Sequence, residues 1–158
     1  MKHTISILVE NHAGVLARVA GLFARRGFNI DSLAVGVTED EKISRITIIA
    51  DGTAYTLEQI EKQLNKLIDV IKVRHLPAEE LLSRELVLIK VACQPSQRAE
   101  LISLAEIAKA KISDITVNTM TLELSDSVPR IKTFEELLRP YGIKETVRTG
   151  SVSYTHLR

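Results

Sequence analysis

The first half of the chain alternates between two spacings of its apolar residues. Apolar residues at every second position predict four β-strands, at His3–Glu10, Asn29–Val37, Ile43–Ala50 and Val70–Leu76. Apolar residues at every third or fourth position predict two amphipathic helices between them. The first carries Val15, Leu16, Val19, Ala20 and Phe23 on one face, and the second carries Leu57, Ile60, Leu64 and Leu67. The predicted order of elements is βαββαβ.

Turn and capping residues predict where these elements end. Gly27 follows two arginines at the end of the first helix, where a glycine commonly takes the left-handed conformation. The polar segment 38–42 predicts the turn of a hairpin between the second and third strands. The sequence Thr56-Leu57-Glu58-Gln59 has the pattern of a capping box, so we expect the second helix to begin at Thr56.

The second half of the chain repeats the same order. Strands are predicted at Glu85–Ala92, Lys111–Val117, Met120–Ser125 and Ile143–Thr149. We expect Ser96 to cap a helix that carries Leu101, Leu104, Ala105 and Ala108 on one side. The other helix is predicted at Val128–Arg139, with Pro129 in its first turn, where proline is tolerated.

This repeat predicts an α+β protein with two ferredoxin-like βαββαβ domains in tandem. We expect a first domain at residues 1–76, a short charged linker at 77–84 and a second domain at 85–158. In each domain two helices would cover one face of the sheet, leaving the other face and the edge strands uncovered. Because small domains commonly bury such surfaces by pairing, we predict at least a homodimer.

The charge balance argues against a nucleic-acid-binding function. The chain has 21 basic and 20 acidic residues spread along its length, whereas nucleic-acid binders usually carry a basic excess that neutralises phosphates. The βαββαβ order is also that of RNA-recognition domains, which stack bases on aromatic residues of the central strands. Those strands carry Ile, Ser, Val and Thr here, so RNA binding is not expected.

The residue types that build catalytic and metal sites are scattered along the sequence. No two histidines have helical ligand spacing, so we expect no metal site; they are His3, His12, His75 and His156. Cys93 lies in an apolar run and is expected to be buried. No phosphate-binding loop or nucleophile elbow is present, so we expect no catalytic residue and no enzymatic activity. Without a leader segment or an apolar run of membrane length, we expect a soluble, cytoplasmic protein.

The junction between the first strand and the first helix is the candidate ligand site. A helix that starts near Gly14 presents backbone N–H groups and a positive dipole end to an anion. Two neutral amides, Asn11 and Asn29, can donate to a carboxylate or accept from an ammonium group. Val15, Leu16 and Ile30 could line a pocket for a small branched side chain. The same residues also fit a simple turn and helix start, and the junction alone does not decide between these interpretations.

The residues around this junction resemble a known family. The stretch Val9–Phe23 (VENHAGVLARVAGLF) is similar to an ACT domain, and Arg25–Leu33 narrows the likeness to the small regulatory subunit of acetohydroxyacid synthase, also called acetolactate synthase. Three further segments match the pattern of that family, and together they extend the likeness over essentially the whole chain. They are Ser44–Ile48, Lys62–Leu67 and the region from Arg139 to Gly150.

The resemblance implies a non-catalytic subunit that activates a separate catalytic partner in branched-chain amino-acid biosynthesis. It implies an allosteric effector, valine or another branched-chain amino acid, that conveys feedback inhibition from a dimer interface. The implied contacts come from one protomer at Asn11, His12, Ala13, Gly14, Val15 and Leu16, and from the facing protomer at Asn29 and Ile30. Thiamine diphosphate, Mg²⁺ and FAD would belong to the catalytic subunit, with no cofactor in this chain.

Two positions depart from the family pattern. Ala108 stands where relatives usually carry an aromatic residue, so packing or docking of the second domain is expected to differ. His12 stands where relatives carry an acidic or polar residue. The alternative function is a free-standing ACT-domain sensor that acts on another enzyme or on a transcription factor; it would share the first domain but not the second half.

Overall fold

The computed structural model describes residues 1–155. By its internal contacts the chain divides into two compact units, Ser83–Gly150 and Met1–Leu82 together with the described residues from Ser151 onward. Each unit is an antiparallel sheet with two helices, as the sequence predicts. The predicted C-terminal domain also includes residues 156–158, among them His156, which lie outside the described residues.

The first unit has the predicted order βαββαβ. Its elements are β1 (Lys2–Glu10), α1 (Val15–Arg25), β2 (Ile30–Val37), β3 (Ile43–Asp51), α2 (Ala54–Leu64) and β4 (Val70–Leu76). The strand order in the sheet is β2-β3-β1-β4, with every pair antiparallel. In the register, Glu10 is opposite Ile43, while Ile30 is opposite Ala50 at the other end of β3.

Alternate strand residues and one stripe of each helix build the core of the first unit. The fully buried members include Ile5, Ile7, Val19, Phe23, Ile46, Ile48, Ile60 and Leu64. The predicted face of α1 was wrong at one position, because Leu16 is 40% exposed and Leu22 is buried instead. Leu16 lies about 100° around the helix from Val15, which puts it at the margin of the apolar stripe.

Backbone conformation and hydrogen bonds define the ends of the two helices in this unit. Gly27 has the predicted left-handed conformation after α1, with φ at 72°. The predicted start of α2 was wrong, because the helix begins at Ala54 with Thr53 as its N-cap. The Thr53 hydroxyl accepts from the backbone N–H of Thr56, and the Thr56 hydroxyl accepts from the backbone N–H of Thr53. Threonine thus takes the place of the usual Glu or Gln in this reciprocal box.

We expect Thr53→Ala to lower the free energy of unfolding by about 1 kcal/mol, because it removes the acceptor for an N–H group of the first turn. Thr53→Ser, which keeps a hydroxyl at the N-cap, should stay close to wild type. Urea unfolding followed by circular dichroism measures both variants. Equal unfolding midpoints for Thr53→Ala and wild type would show that this cap contributes nothing to stability.

The second unit repeats the topology of the first. Its elements are β5 (Leu81–Ala92), α3 (Arg98–Ala108), β6 (Lys111–Ile115), β7 (Thr119–Asp126), α4 (Val128–Leu138) and β8 (Ile143–Arg148). The strand order is β6-β7-β5-β8, which matches the order in the first sheet position by position. Cys93 is buried in the core as expected, and Ala108 is partly buried against it.

Two local predictions in the second half were tested by the structure. Pro129 lies at the start of α4 as predicted. The prediction that Ser96 caps α3 was wrong, because Pro95–Gln97 forms a 3-10 turn and the helix begins at Arg98 without a side-chain cap. The side chains of Gln94 and Gln97 cap the 3-10 turn, and this early turn displaces the helix start past Ser96.

A short strand that the sequence analysis did not predict, β9 (Val152–Thr155), groups with the first unit. It contacts β1, which is already hydrogen-bonded to β3 and β4 and packed by the helices on its core face. The contact therefore reaches β1 from the other face of the sheet. Thr4, Ser6 and Thr47 are buried on that face. The expectation that this face of the sheet is uncovered was therefore wrong for the first unit.

Within residues 1–155, every helix is too short or too polar to cross a membrane.

Candidate functional site

Asn11 begins the loop between β1 and α1 and is fixed to the β2–β3 turn. Its backbone N–H donates to the carbonyl of Lys42 at 2.8 Å, and its side-chain amide donates to the carbonyl of Glu41 at 3.0 Å. Because these bonds use N–H groups, the side-chain carbonyl oxygen of Asn11 is the atom that can accept from a ligand ammonium group. The loop therefore offers an oriented acceptor.

The start of α1 has the features of an anion site. Gly14 is the N-cap residue with φ at 87°, and no side chain caps the helix or places an acid in its first turn. The backbone N–H groups of that turn therefore point outward with the positive end of the helix dipole. Arg18 lies close by, because a Cβ at position 14 would lie 3.3 Å from its Nη1 atom, and its Nη2 atom is already paired with Asp69. The helix dipole therefore favours an anion at this position, and the Nη1 end of the guanidinium can donate to it.

Arg18 and Asp69 lie beside the candidate site and were not predicted from the sequence. The Arg18 guanidinium donates to the Asp69 carboxylate, whose side chain is only 15% exposed. The signal for Arg18 was available, because a residue four positions after Gly14 lies one helical turn above it. No comparable signal existed for Asp69, which is distant in sequence and approaches through the pairing of β1 with β4.

The two halves of the predicted effector site do not meet within one chain. The loop Asn11–Leu16 follows Glu10, which is opposite Ile43, whereas Ile30 is opposite Ala50. Seven residues of β3 separate these points, which corresponds to roughly 23 Å along an extended strand. Asn29 lies next to Ile30 and its amide donates to Asp31 at 2.8 Å. Any site that uses both halves requires a second copy of the chain.

The predicted apolar lining divides into buried and accessible residues. Val15 is buried in the core of the unit and cannot face a ligand without a rearrangement. Leu16 is 40% exposed beside the loop, and Ile30 is half-buried at the far end of the sheet. His12 and Ala13 are exposed, so within the predicted set Leu16 is the apolar side chain closest to a ligand at Gly14.

Glu10, His12 and Asp69 form a second polar group beside this loop. The Nε2 atom of His12 lies 3.1 Å from the Oε2 atom of Glu10. One potential ligand atom from each of the three residues lies within 4.8 Å of the others. A separate histidine pair joins Nδ1 of His3 to Nε2 of His75 at 3.1 Å.

Comparison with known protein families shows similarity over both units. Residues 5–72 match the model of the AHAS small subunit-like ACT domain, and residues 84–156 match the model of the small subunit of acetolactate synthase. The predicted repeat of two domains thus corresponds to two successive family models.

Individual relatives are similar along their whole length. A probable acetolactate synthase small subunit of Archaeoglobus fulgidus is 50% identical over 153 residues, covering 97% of this chain and 96% of that protein. One from Methanothermobacter thermautotrophicus is 52% identical, covering 94% and 89%. The crystal structure of the acetolactate synthase small subunit of Thermotoga maritima superimposes with a TM-score of 0.91 at 38% identity, covering 100% and 99%. The chain therefore belongs to the family of acetolactate synthase small subunits.

Proposed function

We propose that this chain is the non-catalytic regulatory subunit of an acetolactate synthase and that it binds valine as a feedback effector. Its similarity to acetolactate synthase small subunits over both units carries this proposal. The chain would act in the cytoplasm, where it would activate and regulate a separate catalytic subunit. Thiamine diphosphate, Mg²⁺ and FAD are assigned to that partner.

The chemistry of the β1–α1 loop fits one half of an amino-acid zwitterion site. The ligand carboxylate would lie at the N-terminus of α1, near the Arg18 guanidinium and against Gly14. The ammonium group would donate to the side-chain carbonyl of Asn11, which is held by two hydrogen bonds to the β2–β3 turn. Leu16 would contact the branched side chain. The carboxylate and the ammonium group of a zwitterion would thus each have a hydrogen-bond partner in this loop.

The edge strand β2 is the surface on which a second copy of the chain would bind and supply the other half of the site. It is the end strand of its sheet, and Val35 and Val37 on it are 49% and 62% exposed. An exposed edge with apolar side chains is a surface on which another strand can pair. Antiparallel pairing of two β2 strands would place the Ile30 end of one copy beside the Val37 end of the other.

This arrangement would complete the effector site between two copies of the chain. Val37 is opposite Ser44, and Ser44 is opposite Val9, so the Val37 end of β2 lies at the same end of the sheet as the β1–α1 loop. Asn29 and Ile30 of the second copy would then approach that loop. The proposal therefore makes the homodimer a requirement for effector binding.

Regulation would follow from a difference in valine affinity between two states of the holoenzyme. Valine would favour the state in which the catalytic subunit is less active. Valine would change the affinity between this chain and the catalytic subunit by some factor. By linkage, the catalytic subunit must change the affinity of this chain for valine by the same factor. Coupling of this kind is typically about 1–3 kcal/mol, a change of roughly 5- to 150-fold in the dissociation constant.

The alternative of a free-standing ACT sensor has less support. It would share the first unit with this family and not the second. The match of residues 84–156 to the small-subunit model, and relatives matched over 96% and 89% of their length, favour a subunit that works with acetolactate synthase.

Calorimetric titration with amino acids tests the proposal. We expect saturable binding of valine, with one site or fewer per chain, and no binding of lysine, whose side-chain charge has no partner among the residues assigned to the pocket. Leucine and isoleucine titrations would rank the branched-chain effectors. In the presence of the catalytic subunit the dissociation constant for valine should shift by at least about fivefold.

Two outcomes would count against this function. An unchanged dissociation constant in the holoenzyme would exclude regulation through equilibrium binding. If no branched-chain amino acid binds to the chain alone or with the catalytic subunit, the effector assignment is wrong.

A further inference from the structure

Three metal-ligating side chains meet beside the start of α1. Glu10 is the last residue of β1, His12 lies in the following loop, and Asp69 lies in the connection between α2 and β4. One imidazole nitrogen and two carboxylate oxygens lie within 4.8 Å of one another. We propose that Glu10, His12 and Asp69 bind a divalent transition-metal ion such as Zn²⁺.

Backbone hydrogen bonds hold the three residues together without a metal. The N–H of Glu10 donates to the carbonyl of Asp69 at 2.8 Å, and the N–H of His12 donates to the carbonyl of Glu10 at 2.9 Å. The first bond joins the end of β1 to the segment before β4. The second forms a tight turn between Glu10 and His12. The side chains therefore project from a fixed frame, which lowers the entropic cost of bringing them onto one ion.

The distances are compatible with coordination. Zinc binds imidazole nitrogen and carboxylate oxygen at about 2.0–2.2 Å, so two ligand atoms in a tetrahedral site lie roughly 3.4 Å apart. The Nε2 of His12 and the Oε2 of Glu10 are 3.1 Å apart, which is near this spacing. Their side chains are 61% and 49% exposed, so a small rotation toward Asp69 meets little resistance.

Arg18 orients the third ligand. It donates to Oδ2 of Asp69, a side chain that is only 15% exposed, and this leaves Oδ1 as the second oxygen of the carboxylate. Carboxylates that bind metals are commonly held by such an outer hydrogen bond. Two carboxylates against one guanidinium give the cluster a net negative charge before an ion binds. A cation is therefore favoured between the carboxylates of Glu10 and Asp69, whereas an anion is favoured at the backbone N–H groups that follow Gly14.

The ligand types select the class of metal. One imidazole with two carboxylates suits Zn²⁺, Co²⁺ or Mn²⁺, whereas Mg²⁺ and Ca²⁺ prefer sets made of oxygen alone. The spacing of the histidines predicted no metal site, because no two of them lie one helical turn apart. Here a single histidine is joined by a carboxylate two residues before it and by another that only the fold brings near.

A titration of the metal-free full-length chain with Zn²⁺ tests this site, with Co²⁺ absorption in the visible range as a second probe. We expect one ion per chain in wild type. His12→Gln and Glu10→Gln should each weaken Zn²⁺ binding by at least about tenfold, the lower limit for loss of a group that only supports a ligand. His75→Gln is the matched control, because it removes an exposed imidazole from the His3–His75 pair and should leave the affinity unchanged.

The unfolding midpoint of each variant without metal separates loss of a ligand from loss of the fold. Both substituted side chains are exposed, so these midpoints should stay at the wild-type value. The proposal is overturned if wild type shows no saturable Zn²⁺ binding, if His12→Gln and Glu10→Gln bind as wild type does, or if His75→Gln is the variant that loses the ion. No amino acid is present in this titration, so its result does not depend on the proposed effector.

Discussion

The Gly14→Asp variant is expected to lose valine binding, with the dissociation constant raised at least about 100-fold. The substitution places a negative charge at the N-terminus of α1, where the proposal puts the ligand carboxylate. Two like charges a few ångströms apart in a partly desolvated site repel by several kcal/mol. Each 1.4 kcal/mol changes the dissociation constant tenfold, so this repulsion is sufficient. Calorimetric titration with valine measures the loss.

Gly14→Asn is the matched control for Gly14→Asp. Asparagine has the same shape as aspartate without its charge, and both tolerate a positive φ better than other residues with side chains do. The new Cβ would lie 3.3 Å from Arg18 Nη1, which is the end of a flexible side chain and can move. We expect Gly14→Asn to retain valine binding within about tenfold of wild type, a change of no more than 1.4 kcal/mol.

The valine titrations and the activation of the catalytic subunit then separate the possible causes. If both variants lose valine binding equally, the size of the side chain at position 14, and not its charge, prevents binding. Wild-type affinity in Gly14→Asp would mean that the carboxylate does not bind at α1. Activation of the catalytic subunit should survive in Gly14→Asp, since an acid at the N-cap is favourable for the helix itself; its loss would indicate that this loop contacts the partner.

Apolar spacing predicted both folds because most elements bury one apolar face. β4 was predicted at its observed bounds, Val70–Leu76, and the predicted order of elements, βαββαβ, is observed in both units. β9 was missed because its pattern is inverted. Ser153 and Thr155 are buried, while Val152 and Tyr154 are 54% exposed. A strand that lies over a polar sheet face gives no hydrophobic signal, so apolar periodicity cannot find it.

The candidate site was predictable only as far as it is local in sequence. Asn11, Gly14 and the start of α1 follow directly from the strand-to-helix junction. Asp69 could not be found in this way, because it reaches Arg18 through the pairing of β1 with β4. The proposal that Asn11 and Asn29 meet across two copies came from the family resemblance and not from spacing. Within one chain the register places them at opposite ends of the sheet.

The Val35→Lys variant is expected to lose both dimerisation and valine binding. Val35 is 49% exposed on the edge strand β2, opposite Ile46 of β3. In an antiparallel pair of β2 strands each lysine would lie near the dimer axis, so two ammonium groups would approach each other as the apolar contact disappears. Lysine on an edge strand is a common means of preventing such pairing. Full burial of an exposed valine contributes about 1.5–3 kcal/mol, and Val35 still exposes about half of its surface. The two copies together therefore lose about 1.5–3 kcal/mol, so the dimer dissociation constant should rise at least about tenfold.

Sedimentation equilibrium over a range of concentrations measures this constant, and calorimetry measures valine binding in the same samples. Ile68→Lys is the matched control, because Ile68 is 94% exposed between α2 and β4, away from the β2 edge. It should leave both constants unchanged. Gly14→Asp provides the complementary case, since it should lose valine binding and remain a dimer. A Val35→Lys chain that stays dimeric and binds valine normally would place the dimer contact elsewhere. A monomeric Val35→Lys chain that still binds valine would mean that the effector site lies within one copy, contrary to the distance between its two halves.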